Sequence, residues 1–377
     1  MMFWILYLYE LKKIFSHRIK LLVLLAVAAF LFFVSAQRYF TDVPETNAWK
    51  AELLLDGRTM DENFFTEMRD DSAPDAGDLW RYATSYAMTV FSYNEPTSIL
   101  HSSEERANWT EEQFYTTRQR VIGEFADAFF LTRGELKHWE DLEAKISKPF
   151  IYHSTRDIKN LRATYQFTLT ITCMLIAVFL SGSFAGETEI KTDALIYSSK
   201  YGHLYAVGTK LTAGCTFSLI IGILLLLMTH IPVIIFSGLH GLDAPWYMVM
   251  PFSELSIKAG HMLLLHTLVF ILGCVLAGIL TMLLSLLFDR SMGAAGTIFA
   301  IILFDLFGNV PTSMRVLSQL RYLTPITVLL NTNVPDMRLT KIFSRYLISF
   351  QTAPILYVLL GMILIIITVR IFRRRYR

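Results

Sequence analysis

Residues 165–236 read YQFTLTITCMLIAVFLSGSFA (165–185), GETEIKTDALIYSSKYGHLYAVGTK (186–210) and LTAGCTFSLIIGILLLLMTHIPVIIF (211–236). Two apolar runs enclose a polar strip. A helix rises about 1.5 Å per residue, so about 20 apolar residues cross a hydrocarbon core of about 30 Å. In that core every backbone amide needs an internal partner, which makes each run a helix. The strip then turns the chain round at one membrane face.

Working outward, the same criterion marks four more runs. The full set is about Ile19–Ala36, Tyr165–Ala185, Leu211–Phe236, His261–Phe288, Gly293–Val310 and Pro354–Ile371. The first is short, and the fifth carries Asp305. Composition agrees: 54% of the 377 residues are hydrophobic and only 18% charged, against about a quarter in soluble domains. A soluble chain and a disordered one are both excluded. So is a disulfide scaffold, because the three cysteines Cys173, Cys215 and Cys274 lie inside apolar runs.

The first run has a second reading, as a signal peptide ending near Val34-Ser35-Ala36. Its leader holds Trp4, Tyr7, Tyr9 and Phe15, which is long and aromatic for that role. Phe3–Phe15 reads instead as an interfacial helix with Glu10, Lys12, Lys13 and His17 facing water. Lys12, Lys13, Arg18 and Lys20 at one end, and Arg370, Arg373, Arg374, Arg375 and Arg377 at the other, place both termini in the cytoplasm. Six spans allow this in a multi-pass plasma-membrane protein. The strip 186–210 and the turn at Asp289-Arg290 then face the cytoplasm too. One loop fits badly: Pro311–Ala353 falls outside, yet holds Arg315, Arg321, Arg338, Lys341 and Arg345 against Asp336 alone.

Residues 37–160 form a polar insert, expected outside. It has 14 Lys/Arg and 23 Asp/Glu, a net −9, while the rest of the chain has 20 and 9, a net +11. The insert reads as helical. Thr110-Glu111-Glu112-Gln113 fits a capping box ahead of apolar Phe114, Val121, Phe125 and Phe129. Further helices are expected at Glu135–Ile146 and Leu79–Phe91, with turns at Asp56-Gly57 and Pro74-Asp75. Asn108-Trp109-Thr110 matches a glycan acceptor, a short pattern for which capping by Thr110 is a sufficient account. The insert either contacts a substrate or is a solvated acidic cap.

Chemistry-bearing motifs are sparse. The dipeptide Gly-Lys is absent, so there is no Walker loop, and neither His-Glu-x-x-His nor Gly-x-Ser-x-Gly occurs. His261 and His266 are five apart and point to different helix faces, which does not suit a shared metal. The sequence offers no catalytic set and no metal set.

The strip resembles the coupling-helix region of the membrane subunits of type-2 ABC exporters. Glu187 and Glu189 stand at that family's acidic position after span 2. Ala194-Leu195-Ile196-Tyr197-Ser198-Ser199 stands at its short apolar stretch, and Lys210 opens span 3. Lys200-Tyr201-Gly202-His203 departs from the family's Pro-x-Ser-Arg. YELKKIFSHR (9–18) is similar to the family's elbow helix. The resemblance implies an all-α integral membrane fold: six spans, an interfacial elbow helix and a mostly helical extracellular domain between spans 1 and 2. It implies a permease paired with a second permease, identical or paralogous, above two copies of a separate ATPase subunit. ATP and Mg would be bound there and not by this chain, which accounts for the missing Walker loop.

On this reading Glu187, Glu189, Lys191, Leu195, Tyr197, Ser198, Lys200 and Tyr201 receive the ATPase motion, with Asp289 and Arg290 as a second contact. The cargo class would be a peptide, an antimicrobial or a lipid-like compound. Asp305 either lines the substrate path or sits near the outer interface. Gly273, Gly278, Gly293 and Gly296 suit close helix packing. The tail arginines either bind anionic membrane lipid or only set topology, and nothing in the pattern points to nucleic acid. Two other classes stay open: a membrane sensor or immunity protein binding a ligand through residues 37–160, and an intramembrane enzyme. A four-span plan is the structural alternative.

Overall fold

The computed structural model describes residues 2–16, 18–41, 52–71, 80–91, 93, 109–198, 200–330 and 336–375, without the side chains of 38–41, 70, 71, 81, 82, 194, 197, 198, 200–204 and 237. The chain is mostly helical. In order come α1 (Met2–Phe15), α2 (Arg18–Thr41), α3 (Glu62–Asp71), α4 (Arg81–Phe91), α5 (Glu111–Ala128), α6 (Arg133–Glu143) and α7 (Arg156–Leu180). Two short helices follow, α8 (Ala185–Glu189) and α9 (Asp193–Ser198), then the long α10 (Lys200–Ser237), the single turn α11 (Trp246–Val249) and α12 (Ala259–Leu287). The last part holds α13 (Ser291–Phe307), α14 (Arg315–Tyr322), α15 (Pro325–Val328), the hairpin β1 (Thr340–Ile342) and β2 (Arg345–Leu347), and α16 (Ser349–Arg375).

Among the described residues, five helices are long and apolar enough to cross a membrane: Arg18–Gln37, Arg156–Glu189, Tyr205–Phe236, Ala259–Leu287 and Ser349–Arg375. The fifth run of the sequence forms α13, apolar but only 17 residues long. Most helices overrun their apolar segments. α7 begins nine residues before Tyr165, and α10 starts at Lys200 instead of Leu211. Hydrophobicity marks where a helix meets lipid, but backbone hydrogen bonding carries it on through polar residues. At 38 residues, α10 is about 57 Å long, nearly twice the hydrocarbon thickness.

α12 is the centre of the bundle, packed on α7, α10, α13 and α16. Small residues permit this closeness. A Cβ at Gly278 would lie 2.1 Å from Ser218 Oγ, and one at Gly273 2.9 Å from Pro325 Cβ. The insert is built on rings: Phe64 and Trp80 have centroids 5.0 Å apart, Phe65 and Phe114 5.4 Å, and Phe91 stacks on Trp109 at 4.7 Å. Its core continues into the 238–258 loop through Phe150 and Tyr247, 4.6 Å apart.

Several local expectations need correction. Thr110 accepts from the Gln113 amide at 3.2 Å, but the complete capping box belongs to Thr132 and Glu135. The helix expected at Glu135–Ile146 is α6, and α3 was not anticipated. α3 is rich in charge, and its apolar pair Phe64 and Phe65 is too short a signal for periodicity. Asp56-Gly57 does turn, with Gly57 at φ +85°. Pro74-Asp75 and Asn108 lie outside the described residues. Glu10 turns into the bundle, and Lys13, still half-exposed to water, reaches inward to Glu187, as described next.

Candidate functional site: the strip and its ion cluster

The strip leaves α7 through a tight bend that α12 holds. Ser285 Oγ donates to Ser181 O at 2.5 Å and accepts from the Phe184 and Ala185 amides, each at 3.0 Å. This satisfies a carbonyl at the end of α7 and two amides at the start of α8. The bend delivers Glu187 to the interior.

Glu187 is 3% exposed and meets two lysines. Its Oε1 lies 2.6 Å from Lys210 Nζ of α10 and 2.7 Å from Lys13 Nζ of α1. Lys210 also donates to Ser183 O at 2.8 Å, sits 3.3 Å from Glu10 of α1, and lies over the Phe184 ring. Two positive and two negative groups close a neutral cluster. Buried ions without such matching cost several kcal/mol each. Burial disfavours charge on Lys13, but the hydrogen bond and charge of Glu187, with Glu10, outweigh it and hold its pKa above the ordinary lysine value. A cavity of about 230 Å³ adjoins the cluster, lined also by Lys20, Ile14 and Ile190.

Glu189 points the other way. Its carboxylate accepts from the Ser291 amide at 2.6 Å and from Ser291 Oγ at 3.1 Å. It therefore caps the first turn of α13, where unpaired amides and the helix dipole favour a negative charge. Next to it, Asp289 accepts from Arg375 Nη2 at 2.7 Å, and Arg375 Nη1 reaches Leu286 O. The strip thus touches α1, α10, α12 and α13 through named side chains.

Of the residues singled out from sequence, Glu187, Glu189, Asp289 and Arg290 gather at this end of the bundle. Lys191 is an exposed turn residue at φ +57°. Leu195 is exposed on α9. The side chains of Tyr197, Ser198, Lys200 and Tyr201 lie outside the described residues. The strip is no continuous amphipathic helix: α8 and α9 have five and six residues, and α10 begins at Lys200. Sequence reading missed Glu10, Lys13, Ser183 and Ser285. Charge inside an amphipathic helix reads as solvated until a partner across 174 or 200 residues is known.

Asp305 sits at the far end of α13. Its carboxylate accepts from Thr324 Oγ1 at 2.6 and 2.8 Å and from Thr327 Oγ1 at 2.9 Å. It thereby fastens α15 to α13. No protein-family model, curated protein or solved structure matches the chain.

Proposed function

We propose that this chain is the membrane permease of an ATP-driven exporter, with residues 185–198 as the lever on which a separate ATPase acts. One observation carries the reading. A short segment is tied through Glu187 to α1 and α10, through Glu189 to α13 and through the Phe184 and Ala185 amides to α12, so a push on it reaches most of the bundle. A loop that only connects two spans has no need of a buried, charge-matched anchor. The missing Walker loop fits an engine on another chain. Supporting six crossings, α13 is tied at its start to Glu189, while the chain just beyond it, at Arg315, binds Glu135 of the insert. Those contacts lie at opposite ends of α7. On this reading the insert and the basic loop 311–348 share the outer face, and the strip lies in the cytoplasm of a plasma-membrane protein.

The test is purification of the full chain in mild detergent, followed by identification of what accompanies it. A Walker-type ATPase should come down with the wild type and be lost from a Leu195→Glu variant, since that side chain is exposed. Separately, a Leu195→Cys variant in intact cells should resist a membrane-impermeant thiol reagent until the inner face is opened. Labelling from outside would end the proposal.

A further inference from the structure

Where α6, the 250–258 loop and the neighbouring ends of α12, α14 and α16 converge, a cavity of about 70 Å³ remains. Trp139, Trp246, Phe252, Tyr322 and Phe350 line it. So does Glu254, which is 6% exposed and whose Oε2 has no hydrogen-bond partner among the described residues. Leaving a buried acceptor unmet costs about 1–3 kcal/mol, more when it is charged. The other charged groups on the wall are engaged. Asp336 accepts from Arg338 Nε at 2.8 Å, and Arg162 has an interaction of its own. What the wall leaves unmet is this one buried carboxylate oxygen.

The wall around that carboxyl is aromatic, and ring faces attract cations. We propose that this cavity binds an organic ammonium group, held by Glu254 and enclosed by the rings of Trp139, Trp246, Phe252, Tyr322 and Phe350. Size narrows the class. A water fills about 10–15 Å³ on this measure, so the space suits roughly five to seven heavy atoms, a trimethylammonium with a short arm. A free amine and a lipid headgroup both carry this group, and the cavity lies where long apolar helices end. The inference does not rest on the permease reading; a sensor would use the same site.

Protonation adds a signature. Burial, with Glu143 and Glu140 nearby and Arg118 opposing, pushes the Glu254 carboxyl up to about 7. Arg162 and Asp336 are the other charged groups on the wall. A cation selects the ionised carboxylate, so affinity should rise roughly tenfold from pH 6 to pH 8.

The full chain in phosphatidylglycerol nanodiscs is titrated with choline, its neutral isostere 3,3-dimethylbutan-1-ol and the anion 3,3-dimethylbutanoate, following tryptophan fluorescence. Choline should saturate, bind about tenfold or more tighter than either isostere, and tighten with pH. Glu254→Gln should lose both the preference and the pH dependence, and Glu254→Asp should retain part of each. Equal binding of an isostere, or no saturable choline response in the wild type, overturns the proposal without any variant. Phosphatidylcholine discs separate the sources. Weaker apparent choline binding there assigns the site to lipid headgroups, and unchanged binding assigns it to soluble amines. The ATPase co-purification is independent of all these outcomes.

Discussion

Both ends of the bundle bury ion pairs, but they use different partners. At the insert end, charged side chains hold backbone. Arg118, wholly buried, donates to Pro251 O at 2.7 Å and Ser253 O at 2.8 Å as well as to Glu143. Glu135 takes the Leu339 amide at 2.9 Å together with Arg315, and Trp139 donates to Met337 O. Burial opposes the charge on Glu135, but Arg315, Thr132 and the Leu339 amide outweigh it and keep its pKa below the usual value. At the strip end, the Glu187 cluster joins mainly side chain to side chain, with Ser183 O its one named backbone acceptor, beside open space, and Lys13 stays 43% exposed. Backbone acceptors fix a loop in place. Flexible lysines on a shared carboxylate can stay paired while helices shift. The insert end is therefore a weld, and the strip end a joint.

Removing Arg118 should show the weld at its strongest. Arg118→Met strips two buried carbonyls of their donor and leaves Glu143 with Lys148 alone, at a cost of about 3–5 kcal/mol. Limited proteolysis should then cut within the insert before the bundle. Simultaneous loss of both would mean that the insert is no separate folding unit.

The joint should cost less and be repairable. Glu187→Leu leaves Lys210 buried with Glu10 and Ser183 O only, a loss of about 3 kcal/mol, because Lys13 can turn to water. Adding Lys210→Met should restore most of it, since replacing a whole buried pair by apolar groups is often neutral. Thermal unfolding of the four proteins in this double-mutant cycle decides the matter. Full additivity would show that the two residues are not coupled.

A third comparison uses pH. The folded-state pKa of Glu254, about 7, stands above its ordinary 4.5. The folded chain therefore binds a proton more tightly than the unfolded one, and stability should fall as pH rises through 7. Between pH 6 and pH 8 the loss is about 1 kcal/mol. Glu254→Gln should flatten that segment of the stability curve. The strip end, probed by Glu187→Gln, should leave it unchanged.

These contrasts were only partly legible in the sequence. Apolar runs give the helices because lipid imposes a simple length rule, and the acidic insert announces itself by charge. The charges of the basic 311–353 loop find their partners only in three dimensions. Arg315 meets Glu135 of the insert, Arg338 meets Asp336 and Ser318 and lies over the Tyr322 ring, and Arg321 reaches Asp305 O. A count of Lys and Arg treats such groups as free charge, although Arg315 is spent on an acid brought from elsewhere, Arg338 on its neighbour Asp336 and Arg321 on a backbone carbonyl. The same limit hid Glu10 and Lys13. Their helical face reads as solvated until Glu187 and Lys210, remote in sequence, are placed against it.

The smallest expected effect on stability separates joint from weld most sharply. Glu189 is exposed, and its one described task is to cap α13 through Ser291. Glu189→Ala should cost only about 0.3–1 kcal/mol, the usual scale for a charge at an exposed helix N-terminus. If the strip is a lever, that small loss disconnects it from α13 while the Glu187 cluster stays whole. ATPase association should then persist, and export should drop well beyond what the stability change accounts for. Glu189→Gln, which keeps an acceptor for the Ser291 amide, should recover part of the transport. Transport that follows stability alone across these two variants would make Glu189 an ordinary helix cap and leave the strip anchored by Glu187 and the Ser285-held bend.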